Sequence, residues 1–360
     1  MIWLDIIDPK YVLFFKDFIP YLKLLDEVLI TTRKSPDYSE CAKLLDLFKI
    51  PNIVIGSYGG QSLEGKFEKR LQRQKSFLKL FKKYKSPNLF ITGASVDGTQ
   101  CAYGLGIPII QFSDTPIKDE VFSLEKITLL SRLTLPLSSL IFHPFIVPQI
   151  CYTSLGIPTK NIIPYDFIDV ALWLKNFQPQ KDFRDNHKIP KNKPTILIRE
   201  EEYKAHYVDK KLPIIYESVS LLCKNLDINI IIMPRYESQS LKKSFKSFKN
   251  IYIIEEKLKP NEFYPYIDIL IGGGGTMNLE ACYLGIPTIS TRSLFLFHDR
   301  YLLKHKLMKH CKSPQEVFKT VEKILQNPQV ELKKSNKKLF EPKEANFDGI
   351  FKTIKDKFYA

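Results

Sequence analysis

Two stretches of the chain repeat one another: "NLFITGASVDGTQCAYGLGIPII" (88–110) and "DILIGGGGTMNLEACYLGIPTIS" (268–290). Each reads as an apolar strand, a turn of small residues, a short helix, Gly-Ile-Pro and a second strand. Gly106 and Gly285 stand where a helix needs its C-cap, and Pro108 and Pro287 block any continuation. A strand–helix–strand unit builds a parallel sheet, and two copies so far apart imply two such sheets.

The flanking sequence agrees. β-branched and aromatic runs, "IWLDI" (2–6), "EVLITT" (27–32), "NIVIG" (52–56), "NLFITG" (88–93), "PIIQF" (108–112) and "SLIFHP" (139–144), alternate with amphipathic segments. A second series runs through "TILIRE" (195–200), "INIIIMP" (228–234), "NIYIIEE" (250–256), "IDILIG" (267–272) and "IPTIS" (286–290). The polar, proline-rich 177–194 between them reads as a linker. The expected domains are therefore 1–176 and 195–338, with 339–360 as a final amphipathic helix. At 360 residues the chain is long enough for two cores.

The two turns differ in chemistry. The first offers Ser95, Asp97, Thr99 and Gln100; the second, Gly272 to Gly275, offers bare backbone. Without Cβ atoms a phosphate can approach the main chain, and the N–H groups and dipole at the start of the following helix favour an anion. Gly273, Gly274, Gly275, Thr276 and Met277 are thus a diphosphate cradle, or else the glycines only let helix and sheet pack closely. Glu280 lies at i+4 from Thr276, where a carboxylate can accept ribose hydroxyls. Neither a Gly-Lys-Ser/Thr phosphate loop nor a dinucleotide G-x-G-x-x-G is present. The turn therefore suits a nucleoside diphosphate sugar.

Composition limits the partners. The net charge of +15 favours polyanions. No zinc finger, ribonucleoprotein motif or arginine-rich arm is visible, so nucleic acid is not expected. Six scattered cysteines without a C-x-x-C pair read as buried thiols. With no long apolar stretch and no recognisable leader, a cytoplasmic protein is expected, without metal or cofactor beyond its substrate. In "GKFEKRLQRQKSFLKLFKKYK" (65–85), Phe67, Leu71, Leu78 and Phe81 share one helical face, while Lys66, Lys69, Arg70, Arg73, Lys79, Lys82 and Lys83 crowd the others. The helix either packs that apolar face on the sheet or lies on an anionic inner membrane surface.

"GGGGTMNLEACYLGIP", together with "IWLDIIDPKYVLFF", "GSYGGQSLEGK", "GLGIPIIQFSDTP", "SRLTLPL" and "MPRYESQ", resembles the prokaryotic family of domain of unknown function 354. More distantly the chain is similar to UDP-N-acetylglucosamine 2-epimerase and to the peptidoglycan N-acetylglucosaminyltransferase. The resemblance implies the GT-B architecture, two Rossmann-like domains facing across a cleft, with a terminal helix crossing back to the first domain. It also implies ribose contact by Glu280. The chain departs from the family at Asp8-Pro9-Lys10-Tyr11 and at Tyr58, where histidines are usual, and at Asn278-Leu279.

Candidates for chemistry lie at strand ends. Asp114 in "QFSDTP" is the first choice as acid or base, with Asp97 and Asp8 beside it. Asp5, Tyr58, Gly59, Gly60 and Ser95 are assigned to the acceptor or sugar side. Asp8-Pro9 equally forms an ordinary helix start. Arg199 and Arg235, each directly after an apolar strand, can clamp phosphate oxygens; Glu200 and His206 follow the same strand as Arg199, and His206 and His298 read equally as a helix-surface and an aromatic-cluster histidine. The expected activity is transfer of a sugar from a UDP-sugar, with epimerisation of the nucleotide sugar or non-catalytic binding as alternatives.

Overall fold

The computed structural model describes residues 1–36, 38–60, 62–93, 95–200, 214–234, 238–327 and 337–359. The chain forms two compact units: unit 1 is Met1–Trp173 with Glu341–Ala360, and unit 2 is Leu174–Phe340. Residues 177–194, set apart by composition, belong to unit 2, where Phe183 and Ile189 are buried in a core with Leu197 and Leu270.

Unit 1 holds a seven-stranded parallel sheet: β1 (Ile2–Asp5), β2 (Val28–Thr32), β3 (Ile53–Val54), β4 (Leu89–Thr92), β5 (Ile109–Phe112), β6 (Leu140–Pro144) and β7 (Ile162–Tyr165). The spatial order is β3-β2-β1-β4-β5-β6-β7. In unit 2, β8 (Thr195–Arg199), β9 (Asn229–Met233), β10 (Ile251–Ile253), β11 (Ile269–Gly272), β12 (Thr288–Ser290) and β13 (Met308–His310) take the order β10-β9-β8-β11-β12-β13. Both sheets are buried on two faces, which is why β8, β9 and β11 are apolar without alternation. In each sheet the order reverses between neighbours, β1 with β4 and β8 with β11. Beyond the carboxyl ends of such strands the turns diverge to either side and leave room for a ligand.

Six helices carry or support the residues of interest: α1 (Pro9–Lys16), α2 (Leu63–Tyr84), α3 (Val96–Gly104), α4 (Gly275–Leu284), α5 (Phe297–Lys304) and α6 (Asp348–Phe358). Asp8 caps α1, its Oδ1 accepting the Lys10 N–H at 2.9 Å, and Pro9 fills the first turn. Gly285 ends α4 at φ 78°, a left-handed conformation that glycine enters without strain.

Helix α2 corrects the sequence reading. Its buried residues are Arg73, Phe77, Leu80 and Phe81, whereas Phe67, Leu71 and Leu78 face outward. The cause is electrostatic as well as apolar. Arg73 is fully buried and donates to both oxygens of Asp5, at 2.6 and 2.8 Å, so its row of the helix must face the sheet. Trp3 then packs on Phe77, Phe81 and Phe90 with ring centroids 4.6, 4.9 and 4.3 Å away. Helix α6 belongs to unit 1, and just before it Phe347 stacks on Phe18 at 4.5 Å and meets Phe14 at 5.3 Å.

Strand β6 carries a buried histidine, His143, 2% exposed, with Nδ1 3.1 Å from the Pro144 carbonyl oxygen. Burial pushes its pKa down to about 4. Between the ordinary value and that one, the unfolded chain binds a proton that the native chain refuses, so acidification should cost stability. Urea unfolding from pH 7 to 4 should show a loss of up to about 3 kcal/mol from this group, and His143→Phe should remove that part of the slope. An unchanged slope would contradict it.

Candidate functional site

The glycines after β11 do not share one task. Gly272 is the last strand residue, and a Cβ there would stand 1.9 Å from the Asn278 Oδ1, so this position serves close packing of α4 on its own strand. Gly273 donates its N–H to the Arg199 carbonyl at 2.9 Å, tying the turn to the end of β8. Gly274 is the N-cap of α4 at φ −113°, a backbone any residue adopts. Gly275 opens α4, with Thr276 and Met277 half-buried behind it. Packing thus accounts for Gly272 and the tie to β8 for Gly273, and the side-chain-free start of α4 at Gly274 and Gly275 is where the sequence reading places an anion.

Arg292 was missed in the sequence. It comes after β12, and its Nη1 lies 3.4 Å from where a Cβ on Gly275 would stand. Its guanidinium is held by Asp299 of α5 at 2.6 Å, both side chains being almost wholly buried, and Asp299 also accepts the Leu296 N–H. The echo carried a signal: Arg292 stands after Gly-Ile-Pro at nearly the distance at which Asp114 does in the first half. A guanidinium held by Asp299 thus stands beside the start of a helix, where N–H groups favour an anion.

Glu280 is 3% exposed and its Oε2 accepts the Tyr264 hydroxyl at 2.7 Å. Burial, and then the Glu280 charge, push the Tyr264 pKa well above the usual tyrosine range, so Tyr264 stays a donor at neutral pH. Arg199 is 8% exposed and donates to the carbonyls of Met233 and Pro234, both at 3.1 Å, at the end of β9. Glu200 is buried and hydrogen-bonded by the Tyr216 hydroxyl, and His298 is buried on α5. Arg235 and His206 lie outside the described residues.

In unit 1 the strand-end acids form two clusters. The first is Asp5, Arg73, Ser95 and Asp97. Asp5 is fully buried, bound by Arg73 and by the Thr31 hydroxyl at 2.6 Å. Ser95 caps α3 by accepting the Gly98 N–H, and Asp97 lies 3.3 Å from Arg73 and 4.0 Å from Arg33. The second is an ion triad absent from the sequence reading, Asp114, Lys10 and Asp169. The Lys10 Nζ is 2.5 Å from Asp114 and in contact with Asp169, whose other oxygen accepts the Tyr165 hydroxyl at 2.5 Å. Burial alone would lower the Lys10 pKa, yet the two carboxylates outweigh it and hold the ammonium well above its usual range. Asp114 is the outermost carboxylate of the triad, with a side chain 22% exposed against 3% for Asp169.

Tyr11 and Tyr58, at family histidine positions, do different things. Tyr11 is buried, donates to the Phe112 carbonyl at 2.9 Å, and lies so close to Gly93 that a Cβ there would overlap its ring. Tyr58 lies 5.0 Å from Tyr38, with the Arg33 guanidinium 5.3 Å from its ring. Gly59 is pressed on the first turn of α2, 2.4 Å separating an added Cβ from the Gly65 oxygen, and Gly60 turns the chain at φ 73°.

The family model described as protein of unknown function (DUF354) matches residues 1–355. The chain belongs to the DUF354 family. Among curated relatives, this DUF354 protein is 28% identical over 328 residues to the uncharacterized protein MJ0665 of Methanocaldococcus jannaschii, covering 89% of this chain and 90% of the relative. Its fold is GT-B. It resembles the UDP-GlcNAc 2-epimerase of Neisseria meningitidis bound to UDP-GlcNAc, with TM-score 0.70, 17% identity and 99% of each chain covered. The UDP-GlcNAc 2-epimerase of Methanocaldococcus jannaschii, in complex with UDP-GlcNAc and UDP, gives 0.67 at 19% identity, over 95% of this chain and 98% of that one. A rhamnosyltransferase, SpnG, complexed with thymidine diphosphate gives 0.56 at 14%, over 91% and 92%.

Proposed function

We propose that this DUF354 protein is an enzyme that binds a UDP-sugar on unit 2 and transfers the sugar to an acceptor hydroxyl. The observation that carries the reading is the opening of α4: bare backbone at Gly273 to Gly275, the Arg292 charge beside it, and Glu280 one turn further along. The resemblance in fold to proteins whose structures contain UDP-GlcNAc, UDP or thymidine diphosphate supports it. The diphosphate would accept from the helix-start N–H groups beside Arg292, and Glu280, oriented by Tyr264, would accept from the ribose hydroxyls.

In the transfer itself an acceptor oxygen bonds to the anomeric carbon, the bond from that carbon to the diphosphate oxygen breaks, and UDP departs with its charge neutralised. The acceptor proton passes to a carboxylate base, the role for which Asp114 is the candidate. Asp8 caps a helix, and Asp97 and Asp114 are both ion-paired; Asp114 comes first because its side chain is the more exposed of the two, 22% against 11%. A second reading, 2-epimerisation of a UDP-sugar, is favoured by the match to two epimerases over nearly the whole chain.

Calorimetry with UDP and with pyrophosphate separates the two halves of the donor site. Arg292→Lys, which keeps a charge for Asp299 but loses the planar fork, should weaken both ligands. Glu280→Gln should weaken UDP by roughly 10- to 100-fold and leave pyrophosphate unchanged. No nucleotide binding by the wild type would overturn the reading. Incubation with UDP-sugars then separates the reactions: sugar attached to an added acceptor supports transfer, a 2-epimer formed without acceptor supports epimerisation, and tight binding without turnover supports neither.

A further inference from the structure

The outward face of α2 has no role in the chemistry above. Leu63, Phe67, Leu71 and Leu78 recur at helical spacing along it and are 66, 52, 51 and 44% exposed. They span about 22 Å of the helix. Helix α3 packs beside α2, Gln74 donating to the Gln100 side chain at 3.5 Å, and Tyr103 on it and Leu105 at its C-cap are also exposed, 61 and 43%. Lys75 and Lys82 sit one turn beyond Leu71 and Leu78, and with Lys79 and Lys83 they are exposed. The acidic residues of α2, Glu64 and Glu68, are confined to its first two turns.

We propose that this face of unit 1 docks on the surface of an anionic lipid bilayer. Exposed leucine and phenylalanine side chains would enter the headgroup boundary while the lysines on their flank meet anionic headgroups, the arrangement of an interfacial helix. Charge selects lipid over protein: protein interfaces are depleted in lysine, whereas here lysines flank the apolar stripe in a chain of net charge +15. Among the described residues no helix is long and apolar enough to cross a membrane, so the contact is peripheral.

The test is flotation of the full chain with phosphatidylcholine vesicles, with and without phosphatidylglycerol. The chain should float only with the anionic vesicles and be released by salt. Phe67→Glu with Leu71→Glu should abolish flotation, and Lys75→Gln with Lys79→Gln and Lys82→Gln should weaken it roughly 100-fold, at about 1 kcal/mol per lysine. All these positions are exposed, so the unfolding midpoint should not move. Equal flotation with both vesicles, or flotation that survives both sets of changes, would overturn the proposal. So would self-association in sedimentation equilibrium that Phe67→Glu with Leu71→Glu abolishes while no vesicle binds, since the face would then serve a second copy of the chain. UDP binding is measured separately, so either result stands whatever the donor site does.

Discussion

Arg73→Met should destabilise the protein by about 3–5 kcal/mol in urea unfolding, because it leaves Asp5 charged and fully buried. The arginine also donates to the Ile55 carbonyl at 2.8 Å and reaches Asp97, so the change orphans several groups at once. Removing the second charge should recover much of the loss. Asp5→Asn combined with Arg73→Met is therefore expected to be more stable than Arg73→Met alone, a sign that a merely lost van der Waals contact would not produce. A cost below about 1 kcal/mol for the single variant would mean that Asp5 escapes burial.

Lys10→Met should be nearly as damaging, by about 3–5 kcal/mol at pH 7, for a different reason. Asp114 and Asp169 touch the same ammonium, so its loss sets two carboxylates against each other in a mostly buried place. Asp169→Asn in the same chain should restore most of the stability. The pH dependence has a definite sign: protonating one carboxylate relieves the repulsion, so the deficit of Lys10→Met relative to wild type should shrink on acidification from pH 7 to 5. In the wild type the ammonium pKa is raised, so its contribution is complete at neutral pH and lost only in strong alkali. A deficit independent of pH would argue against the triad.

The fold was legible because its determinants are local. Apolar β-branched runs, Gly-Ile-Pro stops and small-residue turns state strands, caps and helix starts within a few positions of each other, and both parallel sheets result from them. Helix α2 shows where local reading stops. Two faces of it are apolar, one through Phe67, Leu71 and Leu78 and one through Phe77, Leu80 and Phe81, and periodicity does not rank them. What decides is Asp5, sixty-eight positions before Arg73, whose buried carboxylate needs a cation. Reading Arg73 as one more basic residue on the helix's other faces conceals that pair.

The candidate site divides in the same way. The glycine run and Glu280 are readable because turn, helix and carboxylate succeed one another in sequence. Arg292, Tyr264, Lys10 and Asp169 are brought in by other strands and helices. Their partners are distant in sequence, and only the parallel order of the sheets makes them neighbours. Lys10 in particular stood in view as a departure from the family pattern, but its meaning depends on two aspartates at the ends of other elements.

The division of the chain into units also orders its synthesis. Unit 2 is a single stretch, Leu174–Phe340, while unit 1 is closed by Glu341–Ala360, whose Phe347 fills a space between Phe14 and Phe18. A ribosome that has passed residue 340 has finished the second unit but not the first. In the N-to-C order of synthesis, Phe14 and Phe18 therefore gain their contact with Phe347 only after the whole of unit 2 has been made.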